Sequence, residues 1–180
     1  MINEKALCAA MKDAYRNGGY EVMGIGKENT LVINGKMWCA AAPQTRMPRK
    51  VLALLVEHLG EIPRGQAAIV RKKEGVQTMV VDMAMERWEK LQKLTKTAAE
   101  ELRPTPMTWK GREVWQTEAL RVLAYDSELS ALALAAENVR QVHGDLMVCQ
   151  EADTLVSVRA ADVIDDTMRA TLETMMLCGG

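Results

Sequence analysis

The sequence predicts an α+β protein in which an N-terminal helix precedes two tandem halves, each running hairpin, helix, hairpin, helix, with antiparallel strands. Three observations carry that expectation. Apolar residues recur at helical spacing in some segments and in short continuous runs in others. Glycine-containing turns join the short runs, as hairpins require. The order of elements before residue 103 recurs after it: TLVINGKMWC (30–39) sets against PMTWKGREVW (106–115) with Gly35 over Gly111, and Leu52, Leu54 and Glu57 set over Leu132, Leu134 and Glu137. This correspondence reads either as an internal duplication or as a coincidence of two α+β halves.

Leu7, Ala10, Met11, Ala14 and Tyr15 lie at helical spacing and stop at Gly18-Gly19, which predicts a helix over 3–17. YEVMGI (20–25), TLVI (30–33) and KMWCA (36–40) read as strands, the last two joined by Asn34-Gly35. A two-residue Asn-Gly loop favours a type I′ turn, in which both central residues take positive φ. Pro48 suits the first turn of a helix that runs through Val51, Leu54 and Leu55 to Gly60. QAAIVRKK (66–73) and VQTMVV (76–81) form a second hairpin around Glu74-Gly75. Asp82 then caps a long helix, 83–102, whose Ala84, Trp88, Leu91, Thr95, Ala98 and Leu102 form a narrow seam. That seam suits another helix of this chain or a homodimer through 83–102.

Arg103-Pro104-Thr105-Pro106 interrupts the helical pattern and marks the expected boundary between residues 1–103 and 104–180, packed together as one compact unit. Beyond it the pattern predicts strands at 107–109 and 112–115 around Lys110-Gly111, then helices at 117–124 and 127–142. Strands at 145–150 and 154–158 follow, and a last helix at 160–176, where Ile164, Met168, Leu172 and Met175 share one stripe.

The chain has 180 residues, 48% of them hydrophobic and 26% charged, with a net charge of -1. This composition excludes disordered, collagen-like and disulfide-scaffold classes. With 13 Met, 4 Trp, 3 Tyr and no Phe, the core must be built from Ala, Leu, Val and Met. No apolar run reaches the roughly 18 residues of a membrane span, and the N-terminus lacks a signal-peptide core, so a cytoplasmic protein is expected. Cys8, Cys39, Cys149 and Cys178 are widely spaced with no CxxC pair, and read as reduced, buried small hydrophobes.

Charge divides unevenly along the chain. Residues 1–75 hold 12 basic and 7 acidic side chains, whereas 76–180 hold 11 basic and 17 acidic. Arg46, Arg49, Lys50, Arg64, Arg71, Lys72 and Lys73 carry the basic excess, as a solvated face or as a surface for a nucleic acid or an acidic partner, with Trp38 available for stacking. Asp145, Glu151, Asp153, Asp162, Asp165 and Asp166 form a late acidic cluster, which would be either a solvated face or a metal site.

Catalytic signatures are sparse. The two histidines, His58 and His143, each precede a glycine and read as caps of helix C-termini. Ser127, Ser130 and Ser157 lie in no GxSxG elbow. Gly24-Ile25-Gly26-Lys27-Glu28-Asn29 resembles a phosphate loop but has Glu where a Walker loop needs its Ser or Thr, so it reads as a tight turn. No cofactor, metal site or catalytic residue is expected.

The stretch WKGREVWQTEALRVLAYDSELSAL (109–132) resembles the opening of phage antirepressor-type domains of the Bro and KilA N-terminal kind, through Gly111, Val114, Trp115, Thr117, Glu118, Leu120, Leu123, Tyr125 and Asp126. The resemblance implies a phage or mobile-element regulator. The segment that follows, SELSALALAAENV, offers mostly Ala and Leu rather than the side chains that read base edges. The expected function is therefore a non-catalytic interaction protein, a regulator or inhibitor of antirepressor-like or anti-defence (anti-CRISPR) type that binds a protein or nucleoprotein. The alternatives are a nucleic-acid-binding protein using the basic stretch 46–73 and a metal-dependent enzyme using the late acidic cluster.

Overall fold

The computed structural model describes residues 2–132, 140–164 and 170. Its helices are α1 (Glu4–Asn17), α2 (Arg49–Leu59), α3 (Val81–Leu94) and the single turn α4 (Ser127–Ser130). Its strands are β1 (Tyr20–Ile25), β2 (Thr30–Asn34), β3 (Trp38–Pro43), β4 (Ala67–Arg71), β5 (Gly75–Met79), β6 (Glu100–Trp109), β7 (Arg112–Thr117), β8 (Val122–Tyr125), β9 (Arg140–His143), β10 (Leu146–Glu151), β11 (Thr154–Arg159) and β12 (Asp162–Ile164). All twelve pair antiparallel in one sheet, ordered β12-β8-β7-β6-β9-β10-β11-β3-β2-β1-β4-β5.

This overturns the expected pair of hairpin-helix-hairpin-helix halves. The first five strands and first three helices begin close to where apolar periodicity places them, but the chain from residue 95 to 132 is mainly strand. The long helix ends at Leu94, where Thr95 and Thr97 bond back to Gln92 O and Leu94 O. Leu102, the last seam position, lies fully buried in β6 instead. Ala84 and Trp88 bury against the chain's own sheet beside Met23, Val32, Cys39 and Leu155, so the seam is covered within one chain.

The helix expected at 117–124 is a turn followed by β8, in which Val122, Leu123, Ala124 and Tyr125 are all buried. A continuous apolar run fits a strand covered on both faces as well as it fits a helix. Of the helix expected at 127–142, Ser127–Ser130 is helical and Arg140–His143 is strand β9; 133–139 lie outside the described residues. At the start of the helix expected at 160–176, Asp162–Ile164 pair with β8 as β12, and the rest lies outside the described residues except Ala170.

Pro104 and Pro106 mark no helix end. They sit in β6 beyond the three residues that pair with β9, where the strand keeps only β7 as a neighbour and a register shift falls between Pro104 and Thr108. Proline lacks the donor a central strand needs, and a half-open, bulged stretch tolerates that loss.

Both faces of the sheet are covered at its centre. Tyr20, Val22, Leu31, Ile33, Ala40, Ala42, Val156 and Val158 pack beneath α1 and α2, while Met23, Val32, Ala41 and Leu155 pack beneath α3. β3 is buried at every position, and its Ala40, Ala41 and Ala42 keep both layers close without large aromatics. Asn3 caps α1 through Ala6 N–H, and its own N–H donates to Leu132 O near α4; at the other end of α1, Lys72 N–H donates to Tyr15 O. α4 joins β7 through Ser130 Oγ–Glu113. β4 and β7 stand eight places apart, about 38 Å in a flat sheet, whereas a helix of 14 residues spans about 21 Å. The sheet therefore bends over α1.

Two turn assignments change. Neither Asn34 nor Gly35 takes positive φ; Gly35 is required because the Trp38 indole lies over it, 2.3 Å from where a Cβ would stand. The paired positive φ of a type I′ turn occurs at Lys110 (49°) and Gly111 (76°), between Trp109 and Arg112. Trp38 itself is buried in the core and is not available for stacking on a base.

The histidines also differ from expectation. His143 lies in β9, buried, with Nδ1 3.2 Å from Thr97 Oγ1. His58 does occupy the last turn of α2, but its ring stacks on Tyr15 at 4.0 Å and its Nδ1 lies 2.8 Å from Tyr20 Oη. Burial raises the Tyr20 pKa and lowers that of His58, so the neutral phenol donates to the neutral imidazole. A histidine whose pKa falls on folding binds its proton more tightly in the unfolded chain. Stability should thus be intact above the unfolded value of about 6.5 and decline as pH drops through it toward the folded value. Thermal melts at pH 7.5 and 5 should show this decline, and His58→Gln should reduce it.

Candidate functional site: a basic cleft at the start of α2

Three loops meet at one end of strands β1, β2 and β4. The β1–β2 turn reverses at Gly26 (φ 72°) and Asn29 (φ 50°), the left-handed region that Gly and Asn tolerate best. This places the glycine-rich segment in a tight turn, as its sequence suggests. Asn29, 7% exposed, donates from its amide to Gln44 Oε1 and to Pro63 O, each at 3.0 Å. One side chain thereby ties together the β1–β2 turn, the loop before α2 and the loop before β4. Backbone bonds repeat the join: Gly24 N–H to Gln66 O, Gly65 N–H to Gly24 O and Gln44 N–H to Asn29 O. Asn29→Ala removes this buried donor and leaves two acceptors without it; a loss of about 2 kcal/mol by urea denaturation is expected.

The loops enclose an open cleft of about 590 Å³, with Leu52 and buried Met47 among its lining residues. Lys27 from the β1–β2 turn, Arg49 from α2 and Arg64 from the loop before β4 also line it, with Glu28 as the one acid. None of these three cations has an ion-pair partner among the described residues. Local electrostatics add to the imbalance. α2 begins after Pro48, which supplies no side-chain cap, and its first turn contains no acid. Cations at a helix N-terminus oppose the helix dipole. Lys50 is compensated by Glu4, which accepts from Lys50 N–H and pairs with its ammonium at 3.5 Å, whereas Arg49 is not.

The basic residues singled out in the sequence therefore divide. Arg49 and Arg64 come together in the cleft. Arg46, close by in sequence, pairs with Asp153 at 2.9 Å, and Lys50 with Glu4. Arg71, Lys72 and Lys73 stand at the opposite end of β4, where Arg71 bonds Gly18 O and Glu74. Lys27, which stands outside the basic group that the sequence singles out, joins Arg49 and Arg64 from the glycine-rich turn that carries it.

A larger cleft of about 870 Å³ lies at the other ends of these strands, between α1 and α3. Its lining arginines are paired: Arg71 with Glu74, Arg87 with Glu21 and Arg159 with Asp145. The late acidic cluster is likewise dispersed, with Asp145 on Arg159, Asp153 on Arg46, and Asp162 within 4 Å of Lys110 and Arg112; Asp165 and Asp166 lie outside the described residues. Among the described residues no group of three or more His, Cys, Asp or Glu is placed to hold a metal. Cys39 is buried, which pushes its thiol up to about 12, while Cys8 and Cys149 are partly buried; Cys178 lies outside the described residues. No helix among the described residues is long and apolar enough to cross a membrane. No protein-family model, curated protein or solved structure matches the chain.

Proposed function

We propose that the protein is a non-catalytic interaction protein that receives an acidic segment of a protein or nucleoprotein partner in the cleft formed by Lys27, Arg49 and Arg64. The observation that carries this reading is three cations without an ion-pair partner among the described residues, around the uncapped start of α2. Carboxylates placed there gain charge-assisted bonds and favourable interaction with the helix dipole, and both opposing costs in the free protein disappear. The biological setting that suits it is a regulator or inhibitor of a phage or mobile element, in keeping with the resemblance of residues 109–132 to antirepressor-type domains.

A continuous nucleic-acid track along 46–73 has less support, because Arg46, Lys50 and Arg71 have acidic partners and Arg64 stands a strand length from Lys72. The test is fluorescence anisotropy with a labelled acidic peptide and a duplex DNA of equal length over a range of salt. Tighter, salt-sensitive binding of the peptide is the expected result. Tighter binding of the DNA, with a steep salt slope, would move the assignment to nucleic acid.

A further inference from the structure

Resting on the acidic-segment reading of the cleft, we propose that its occupant is an amphipathic helical segment of a protein partner, whose acidic end enters the cleft while its apolar face lies along α2. Arg49, Leu52, Val56 and Leu59 recur at spacings of three, four and three, so they share one side of α2 from its first turn to its last. Leu52 lines the cleft together with Arg49 and buried Met47. Leu52 and Leu59 are half-buried against the core, while Val56, one turn from each, is 45% exposed. Val51, Leu54 and Leu55 already face the core, so this apolar stripe is additional to the face that seats α2. Valine is also a poorer helix former than the Lys, Glu or Ala that suits an exposed position.

Charge along the stripe selects the occupant. Lys27, Arg49 and Arg64 stand at the start of α2, where the stripe enters the cleft. At the other end of α2, Glu57 and Glu61 are exposed, and the last turn holds no basic residue but His58. A segment acidic at one end and apolar beyond it complements both ends. One that is acidic throughout, or a nucleic-acid duplex with phosphates along its whole length, would set negative charge against Glu57 and Glu61. Helical anchors recur every three or four residues, about 5–6 Å apart along the axis, which is also the spacing of Leu52, Val56 and Leu59.

Titration calorimetry tests this with two peptides of equal length and equal charge, each with an acidic first turn. One carries Leu at helical spacing beyond that turn, and the other carries Gln at the same positions. The Leu peptide should bind about tenfold more tightly, with a more negative heat-capacity change. Added salt should weaken both alike and leave their ratio standing, since screening acts on charge and not on apolar contact. Val56→Ser should bring the ratio within about twofold, whereas Val56→Leu should keep it. Far-ultraviolet circular dichroism should be unchanged in both variants, because Val56 is exposed. Equal affinities for the two peptides, or a ratio that survives Val56→Ser, overturn the inference and leave the acidic-segment reading in place. If neither peptide binds, or if Arg49→Glu with Arg64→Glu weakens neither, both fall together.

Discussion

Gly24→Ala should destabilise the protein by about 3–4 kcal/mol, the largest effect expected of any single methyl group added to this chain. A Cβ at Gly24 would stand 2.0 Å from Pro63 O and 2.8 Å from Pro63 C, both backbone atoms, and 2.5 Å from Asn29 Oδ1. The loop before β4 cannot move away cheaply, since Gly65 N–H donates to Gly24 O at 2.8 Å and Asn29 holds Pro63 O. Relief of the clash therefore breaks the buried Asn29–Pro63 hydrogen bond or the Gly65–Gly24 bond beside it, and each buried group left unpaired adds about 1–3 kcal/mol. Guanidinium denaturation measures the loss. Gly26→Ala is the contrasting variant: nothing lies within 4 Å of its Cβ, so only the strain of its φ of 72° is felt, roughly 1 kcal/mol. Equal losses at the two positions would show that the loop before β4 gives way freely.

Reversing both cleft arginines, Arg49→Glu with Arg64→Glu, should raise the dissociation constant for an acidic peptide by about 30–100-fold. Each reversal replaces an attraction by a repulsion worth about 1–1.4 kcal/mol at a partly exposed site, and tenfold in affinity corresponds to about 1.4 kcal/mol. The same double variant should be slightly more stable than the wild type, by about 0.5 kcal/mol, because Arg49 opposes the dipole at the start of α2 and glutamate complements it. Loss of binding together with a gain in melting temperature separates a functional role from a structural one. Lys72→Glu with Lys73→Glu, at the far end of β4, should leave peptide affinity within about twofold. Titration calorimetry and thermal melts read both quantities on the same samples.

Local signals in the first ninety residues were legible because each is self-contained. Gly18 closes α1, Gly60 leaves α2 in the left-handed region at φ 85°, and Glu74-Gly75 closes the β4–β5 hairpin. The remainder depended on partners far away in the chain. Leu102 continues a heptad-like spacing, yet the strand it joins is selected by Arg140 and Thr117, which pair beside it. LRVLAY reads equally well as a buried helix; β8 becomes a strand because β7 and β12 flank it. The cleft was half visible. Arg49 and Arg64 stood out as basic residues, but their separation from Arg46, Lys50 and Arg71 reflects acids at Asp153, Glu4 and Glu74, two of which are remote in sequence. Likewise, nothing local indicates that Asn29 would reach Pro63.

The order of the sheet also sets a schedule for synthesis. β3 pairs with β2 on one side and with β11 on the other, joining Trp38 to Val158 across more than a hundred residues. Until β11 leaves the ribosome, the nascent N-terminal half presents β3, Ala-rich and uncharged, as a bare edge. At roughly 5–20 residues per second that interval lasts on the order of ten seconds, long compared with the microseconds in which a hairpin forms. The strand that becomes the protected centre of the finished protein is, for that time, the part of the chain most open to chaperones or to the wrong strand.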